Sequence, residues 1–174
     1  MMVKKYIITG PSCAGKSTLV HELEARGFHV IKEVAKSYIL EQKEKGVSEP
    51  WLSKDFQPMM LRLQIENESS IPEDASIVFL DRGVHDTLAF FEHRKQKVPR
   101  ELAEKAKNHR YEKVFFLEPL TFFDKEGFRV EKDKDEAKII SKLIKKAYEK
   151  HGHEIITVPA VSVQERADLI VKNL

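Results

Sequence analysis

Short apolar runs alternate along this chain with longer stretches of helical period. That alternation predicts βα units around a mainly parallel sheet. The first run, Tyr6-Ile7-Ile8-Thr9, has the form of a short buried strand. It enters a glycine-containing loop and then a helix from about Ser17 to Ala25, with Gly27 as the stop signal. Phe28 to Glu33 reads as a second strand and 34–45 as a helix. Leu52, Phe56, Met59, Met60 and Leu63 share one helical face, which places a helix within 50–69 and a kink or restart at Pro58. The methionines of that face read as core.

Ser76 to Asp81 reads as a third strand ending on a carboxylate. Helices follow over about 85–94 and 99–107, then a fourth strand over Lys113 to Leu117. Residues 119–134 are polar, aromatic and irregular and read as a lid-like loop. A helix over 135–150 carries Ile140, Leu143, Ile144 and Ala147 on one face, and Glu154 to Val158 is the fifth strand. Ser162-Val163-Gln164-Glu165 is a capping box that opens a last helix with the stripe Val163, Ala167, Ile170, Val171 and Leu174. Five strands with helices between them make an α/β sandwich.

A chain of 174 residues fits one domain over 1–174, at roughly 100–200 residues per domain. With 41% apolar and 33% charged residues it has the composition of a globule that builds its own core. Thirty Lys and Arg against 28 Asp and Glu leave a net charge of +2, so no nucleic-acid partner is expected. One cysteine, Cys13, excludes an intramolecular disulfide framework and a multi-cysteine zinc site. No apolar run approaches the ~18 residues of a membrane span. The start, MMVKKYIITG, lacks the form of a signal peptide, and a cytoplasmic location is the expectation.

The strongest chemical signal is Gly10-Pro11-Ser12-Cys13-Ala14-Gly15-Lys16-Ser17, a G-x-x-x-x-G-K-[ST] loop set after a strand and before a helix. Glycines let the backbone curl so that successive N–H groups face inward as an anion nest, and the helix adds its positive dipole end. Such a loop holds a nucleoside triphosphate, here taken as ATP. Lys16 is placed for the β- and γ-phosphates and Ser17 for Mg²⁺. Thr18 lies just beyond, beside the site. Cys13 is either a small loop residue or a thiol acidified by the helix end.

Asp81, at a strand end, is the second candidate Mg²⁺ ligand. Arg82 follows, ready to grip a phosphate or substrate oxygen, and Gly83 permits a tight exit. Asp86 either accepts bonds from substrate hydroxyls or starts the next helix. Glu33, at the end of the second strand, is either the candidate base that orients an acceptor hydroxyl or an ordinary polar residue at a strand-to-helix junction. Lys36 reads as a solvated helix residue. In the lid-like segment, Gly127 offers a hinge, and Arg129 either swings over the nucleotide or is a solvated loop charge. Phe122 and Phe123 either stack on a base or anchor the loop. The turn Val158-Pro159-Ala160 either borders the adenine or is structural. His151 and His153, with no third ligand beside them, read as surface residues.

Together ITGPSCAGKSTL, IKEVA, FLDRGVHD, FFLEPL and VPAVSVQERADLI resemble the small AAA-type ATP-binding P-loop proteins, from Tyr6 to Ile170. That family includes the ribosylnicotinamide-kinase domain of NadR and relatives of nucleoside and nucleotide kinases. The resemblance implies a P-loop NTPase three-layer sandwich with a five-stranded parallel sheet in the order 2-3-1-4-5. It implies Mg²⁺-dependent ATP use, with Lys16 and Ser17 at the phosphate and metal positions. Asp81-Arg82 resembles the acid–Arg pair of nucleoside kinases, Glu33 their strand-two carboxylate, and Arg129 a lid arginine. The family's denser arginine lid is replaced here by Lys125 and Lys132. Full-length NadR carries further domains, so this chain is expected as a stand-alone module. The leading expectation is a kinase acting on a small hydroxyl acceptor. The other is a nucleotide-dependent switch with a protein or lipid partner, though no N-K-x-D segment specifies guanine.

Overall fold

A computed structural model describes residues 3–72, 75–120 and 134–174. Five strands form one sheet: β1 (Lys4–Thr9), β2 (His29–Ile31), β3 (Ile77–Asp81), β4 (Lys113–Leu117) and β5 (Ile155–Val158). All pairings are parallel and the order is β2-β3-β1-β4-β5, as the resemblance implies. Around it lie α1 (Lys16–Ala25), α2 (Val34–Glu44), α3 (Phe56–Ser69), α4 (Val84–His93), α5 (Arg100–Lys107), α6 (Lys134–Lys150) and α7 (Val163–Lys172).

The strand pleat sends alternate side chains to opposite faces. Tyr6, Ile8, Phe79 and Phe115 pack with Leu19 and Leu23 of α1 and Ala167 and Ile170 of α7. Ile7, Val78, Leu80 and Val114 pack on the other face with Ile140, Ile144 and Tyr148 of α6 and Ala89 of α4. Both faces of the sheet are therefore buried, which is why its strands read as continuous apolar runs. Among the described residues no helix is long and apolar enough to cross a membrane.

Three expectations change. β2 ends at Ile31, and Glu33 instead occupies the N-cap position of α2. The 50–69 stretch divides into a 3₁₀ turn, Pro50–Leu52, and α3. Pro58 falls in the first turn of α3, where no intrahelical N–H is required, so it restarts nothing. Leu52 is outside the helix and 62% exposed, and Met59 points partly outward, while Phe56 and Met60 are buried. His153 is buried, not on the surface, and sits beside His85. Most of the 119–134 segment, with Phe122, Phe123, Gly127 and Arg129, lies outside the described residues.

Candidate functional site

The site begins where β1 runs into the Gly10–Ser17 loop. Gly10 has φ +142, and a Cβ there would meet the Leu117 carbonyl oxygen at 2.6 Å, so β4 leaves room only for glycine. Cys13 takes a left-handed backbone, φ 59, without being glycine. Lys16 is buried and donates to the Pro11 carbonyl at 2.8 Å, folded back across the loop. Ser12, Cys13, Gly15, Lys16, Ser17 and Thr18 all line a cavity of about 440 Å³.

Asp81 reaches the same end of the sheet because β3 lies beside β1, with Ile8 opposite Asp81. Its Oδ2 accepts from Ser17 Oγ at 3.4 Å, while its Oδ1 is buried and has no hydrogen-bond partner among the described residues. Burial first, then the neighbouring Glu33 carboxylate, pushes the Asp81 pKa up to about 6. An orphaned carboxylate oxygen beside a hydroxyl is a hard oxygen set, which fits Mg²⁺. Among the described residues no cluster of three or more His, Cys, Asp or Glu is arranged for a metal. Mg²⁺ needs none, since it commonly uses one or two carboxylates and completes its shell with phosphate and water.

Arg82 is held from every side. Its backbone is left-handed, φ 72, a conformation that persists in a non-glycine residue only when the surroundings enforce it. Its N–H extends the sheet by donating to Ile8 O, and Gln64 Nε2 lies 3.3 Å from its carbonyl. Its guanidinium donates to Glu33 Oε1 and to Asp86 Oδ1, each at 3.0 Å. Burial alone would raise the Glu33 pKa, but Arg82, then Lys16 and Lys36, outweigh it and hold the carboxyl below its ordinary value. Glu33 is therefore ionised across the neutral range.

Asp86 is 1% exposed and settles the question of its role. Its Oδ1 accepts from Thr9 and Arg82, and its Oδ2 from the Gly83 N–H and the Tyr148 hydroxyl. All four lone-pair positions are taken, so Asp86 starts α4 and holds Arg82 rather than facing a substrate hydroxyl. A second buried carboxylate, Glu68, accepts from Gln64, Tyr111 and the Val84 N–H. In the first turn of α4, His85 sits within hydrogen-bond distance of His153, Nε2 to Nε2 at 2.9 Å, and His153 is buried with it.

The remaining cavity wall is mostly apolar: Ile39, Phe56, Met60 and Phe90. Gln57, 2% exposed, joins it, as do Gln64 and Thr87. Lys36 lines the rim and is exposed. Lys16, Ser17, Glu33, Asp81 and Arg82 are thus brought together at one end of the sheet.

Gln57, Gln64, Tyr148 and Arg166 escaped the sequence reading. Their signals were polar residues on otherwise apolar stripes. Tyr148 continues Ile140 and Ile144 at the i+4 interval, and Arg166 stands four before Ile170.

A family model described as AAA domain matches residues 5–166. The chain belongs to the AAA-domain family. No curated protein sequence matches this AAA domain. Its solved neighbours include the NadR protein in complex with NR, at 19% identity and a TM-score of 0.71, covering 90% of this chain and 46% of that one. The chain thus spans about half the length of NadR. Thymidylate kinase from Ehrlichia chaffeensis is 12% identical with a TM-score of 0.69, covering 99% of both chains. Deoxyadenosine kinase from M. mycoides, solved with the products dCMP and dCDP, is 18% identical with a TM-score of 0.68, covering 97% of both. The AAA domain therefore shares its fold with these proteins.

Proposed function

We propose that this AAA domain is an ATP- and Mg²⁺-dependent kinase that transfers the γ-phosphoryl group to a hydroxyl of a nucleoside-like acceptor. The observation that carries the reading is one cavity that holds the phosphate loop, the Glu33–Arg82 pair and an apolar chamber with Gln57. A plain nucleotide-hydrolysing switch has no use for that chamber. The fold shared with nucleoside and nucleotide kinases supports the same reading.

The loop amides, the α1 dipole and Lys16 bind the triphosphate. Lys16 leaves Pro11 O to do so. Ser17 and Asp81 hold Mg²⁺, which when bound offsets the charge of the phosphate oxygens. Glu33, ionised, accepts a hydrogen bond from the acceptor hydroxyl and orients its oxygen in line with the γ-phosphorus. The new P–O bond forms as the β–γ bridging bond breaks, its electron pair leaving on ADP, and Glu33 takes the hydroxyl proton. A low-pKa carboxylate suffices because a loose phosphoryl transition state needs little proton removal. Arg82 neutralises developing charge from a fixed position. Its charge is already shared by two carboxylates, and the chamber offers an amide among apolar walls. Both features favour an uncharged ring compound over a phosphorylated acceptor.

The test is ADP release across nucleosides, nucleotides and sugars, with Lys16→Ala and Glu33→Gln as controls. A nucleoside should raise ADP release well above the basal rate. If no acceptor does, while ATP is still hydrolysed, the switch reading replaces this one.

A further inference from the structure

We infer that Arg166 is a positioning residue for the phosphate-binding loop: from α7 it keeps the Ala14 carbonyl turned outward and so holds Gly10–Ser17 in its nucleotide-ready shape. The functional meaning of this clamp rests on the kinase reading above; the clamp itself rests on contacts within the chain.

Arg166 is 2% exposed. Its guanidinium reaches three carbonyl oxygens from three separate segments. Nη1 donates to Ala14 O inside the loop, Nε to Pro159 O after β5 at 2.9 Å, and Nη2 lies 3.3 Å from Glu118 O after β4. No other donor has this reach, since a planar fork serves several acceptors at once and an ammonium does not. The capping box fixes the approach: Ser162 and Glu165 close the start of α7, and Arg166 N–H makes the first-turn bond to Ser162 O.

The consequence for the loop follows from peptide geometry. Among the described residues every peptide bond is trans. In a trans peptide the carbonyl and the following N–H point in opposite directions. Turning Ala14 C=O toward Arg166 therefore aims the Gly15 N–H away from α7. The guanidinium packs directly on this corner, since a Cβ at Gly15 would lie 3.3 Å from Nη1. The loop needs such support, because Cys13, a non-glycine residue next to Ala14, is held at a positive φ of 59°. A segment of that kind keeps its shape only when outside contacts overdetermine it.

The test compares Arg166→Met and Arg166→Lys with Asp168→Asn, which removes the charge from the surface Arg26–Asp168 pair of the same helix. Amide hydrogen exchange on the nucleotide-free chain reads the clamp. Calorimetry with the magnesium complex of a non-hydrolysable ATP analogue reads its effect. In Arg166→Met the amides of residues 10–17 should exchange about tenfold faster or more while the β1 and β3 amides keep their protection. The analogue should bind about tenfold more weakly or worse, acceptor KM should hold within about twofold, and added guanidinium ion should restore part of the affinity. Asp168→Asn should change none of these.

If Arg166→Met shows wild-type exchange in the loop, or if protection falls equally in loop and strands, the clamp is refuted and Arg166 is an ordinary core residue. Should Arg166→Met fail to fold, Arg166→Lys carries the same comparison with the charge retained. If the wild-type chain binds no analogue, the kinase reading falls, while the exchange pattern still decides the clamp.

Discussion

Arg82 and Asp86 stand one helical turn apart at the head of α4, and the same Asp86 carboxylate that receives the Arg82 guanidinium is anchored on its other oxygen by Tyr148 of α6. The position of Arg82 in the cavity is thus decided by a side chain on another helix. Asp86→Asn keeps the shape but turns an acceptor into a donor toward the guanidinium. We expect turnover to fall by about 10²-fold with nucleotide affinity preserved, since small misplacements of a charge-stabilising group cost on this scale. Breaking a buried pair should also cost roughly 3–5 kcal/mol of stability. Steady-state kinetics beside urea melts would check both.

Gly83 lies between these groups. Its φ of −131° strains no residue, so only space excludes a side chain. A Cβ would meet Ile7 Cδ1 at 2.7 Å and the hydroxyls of Tyr111 and Tyr148 at 2.9 Å. Gly83→Ala should destabilise by roughly 1–3 kcal/mol through overpacking. A Tm unchanged within error would show that the two tyrosines yield without cost.

The Gln57 carboxamide lines the cavity together with Gln64 and Thr87, and under the proposed function it would face the acceptor. Gln57→Leu preserves its volume and removes its hydrogen-bonding edge. Acceptor KM should rise by about tenfold or more while ATP KM stays constant, because an unpaired polar group on the bound acceptor costs ~1–3 kcal/mol. Equal movement of both constants would place Gln57 outside the acceptor subsite.

Glu33→Gln leaves a neutral side chain beside Arg82. Acceptor-dependent kcat should fall by about 10²–10⁴-fold, the usual contribution of a positioned acid–base group. Nucleotide affinity measured by calorimetry should persist. Full activity in this variant would remove Glu33 from the proton-transfer step.

His85 is 0% exposed, and burial, followed by the charges of His151 and His153, pushes its pKa down to about 2. Burial also lowers His153. The unfolded chain takes up a proton at His85 below about pH 6.5, which the folded chain refuses until about pH 2. The stability tied to this group is therefore complete above pH 6.5 and is lost as pH falls, by about 1.4 kcal/mol per pH unit. Melting curves between pH 7.5 and 5 should show this decline, and His85→Phe should give a shallower one. An equal slope in the variant would assign the decline to other groups.

The phosphate loop was legible because its chemistry is local. Gly10, Gly15, Lys16 and Ser17 are neighbours in sequence, and their spacing is itself the mechanism. Capping at Ser162 and Glu165 was legible for the same reason, with both partners inside one helical turn. Glu33 and Asp81 could be named from strand ends, although Glu33 turned out to begin α2. Pro58 misled, because a proline in a first helical turn looks in sequence like a break.

What the sequence determined alone is the strand–loop–helix over Lys4–Ala25 and the alternation that builds a sheet buried on both faces. Hydrophobic period and glycine spacing act over a few residues, so no distant partner is needed to read them. Only the tertiary structure decided that Asp86 serves Arg82 instead of a substrate, that Tyr148 and Arg166 brace the site, and that His153 is interior. Arg82 and Asp86 are only four residues apart, but the contacts of Tyr148, Arg166 and His153 join groups more than 60 residues apart, which meet because α6 and its following turn pack on α4 and α7 returns to the Gly10–Ser17 loop. Burial then obliges them to find partners, and which partner each finds is set by packing that no local pattern records.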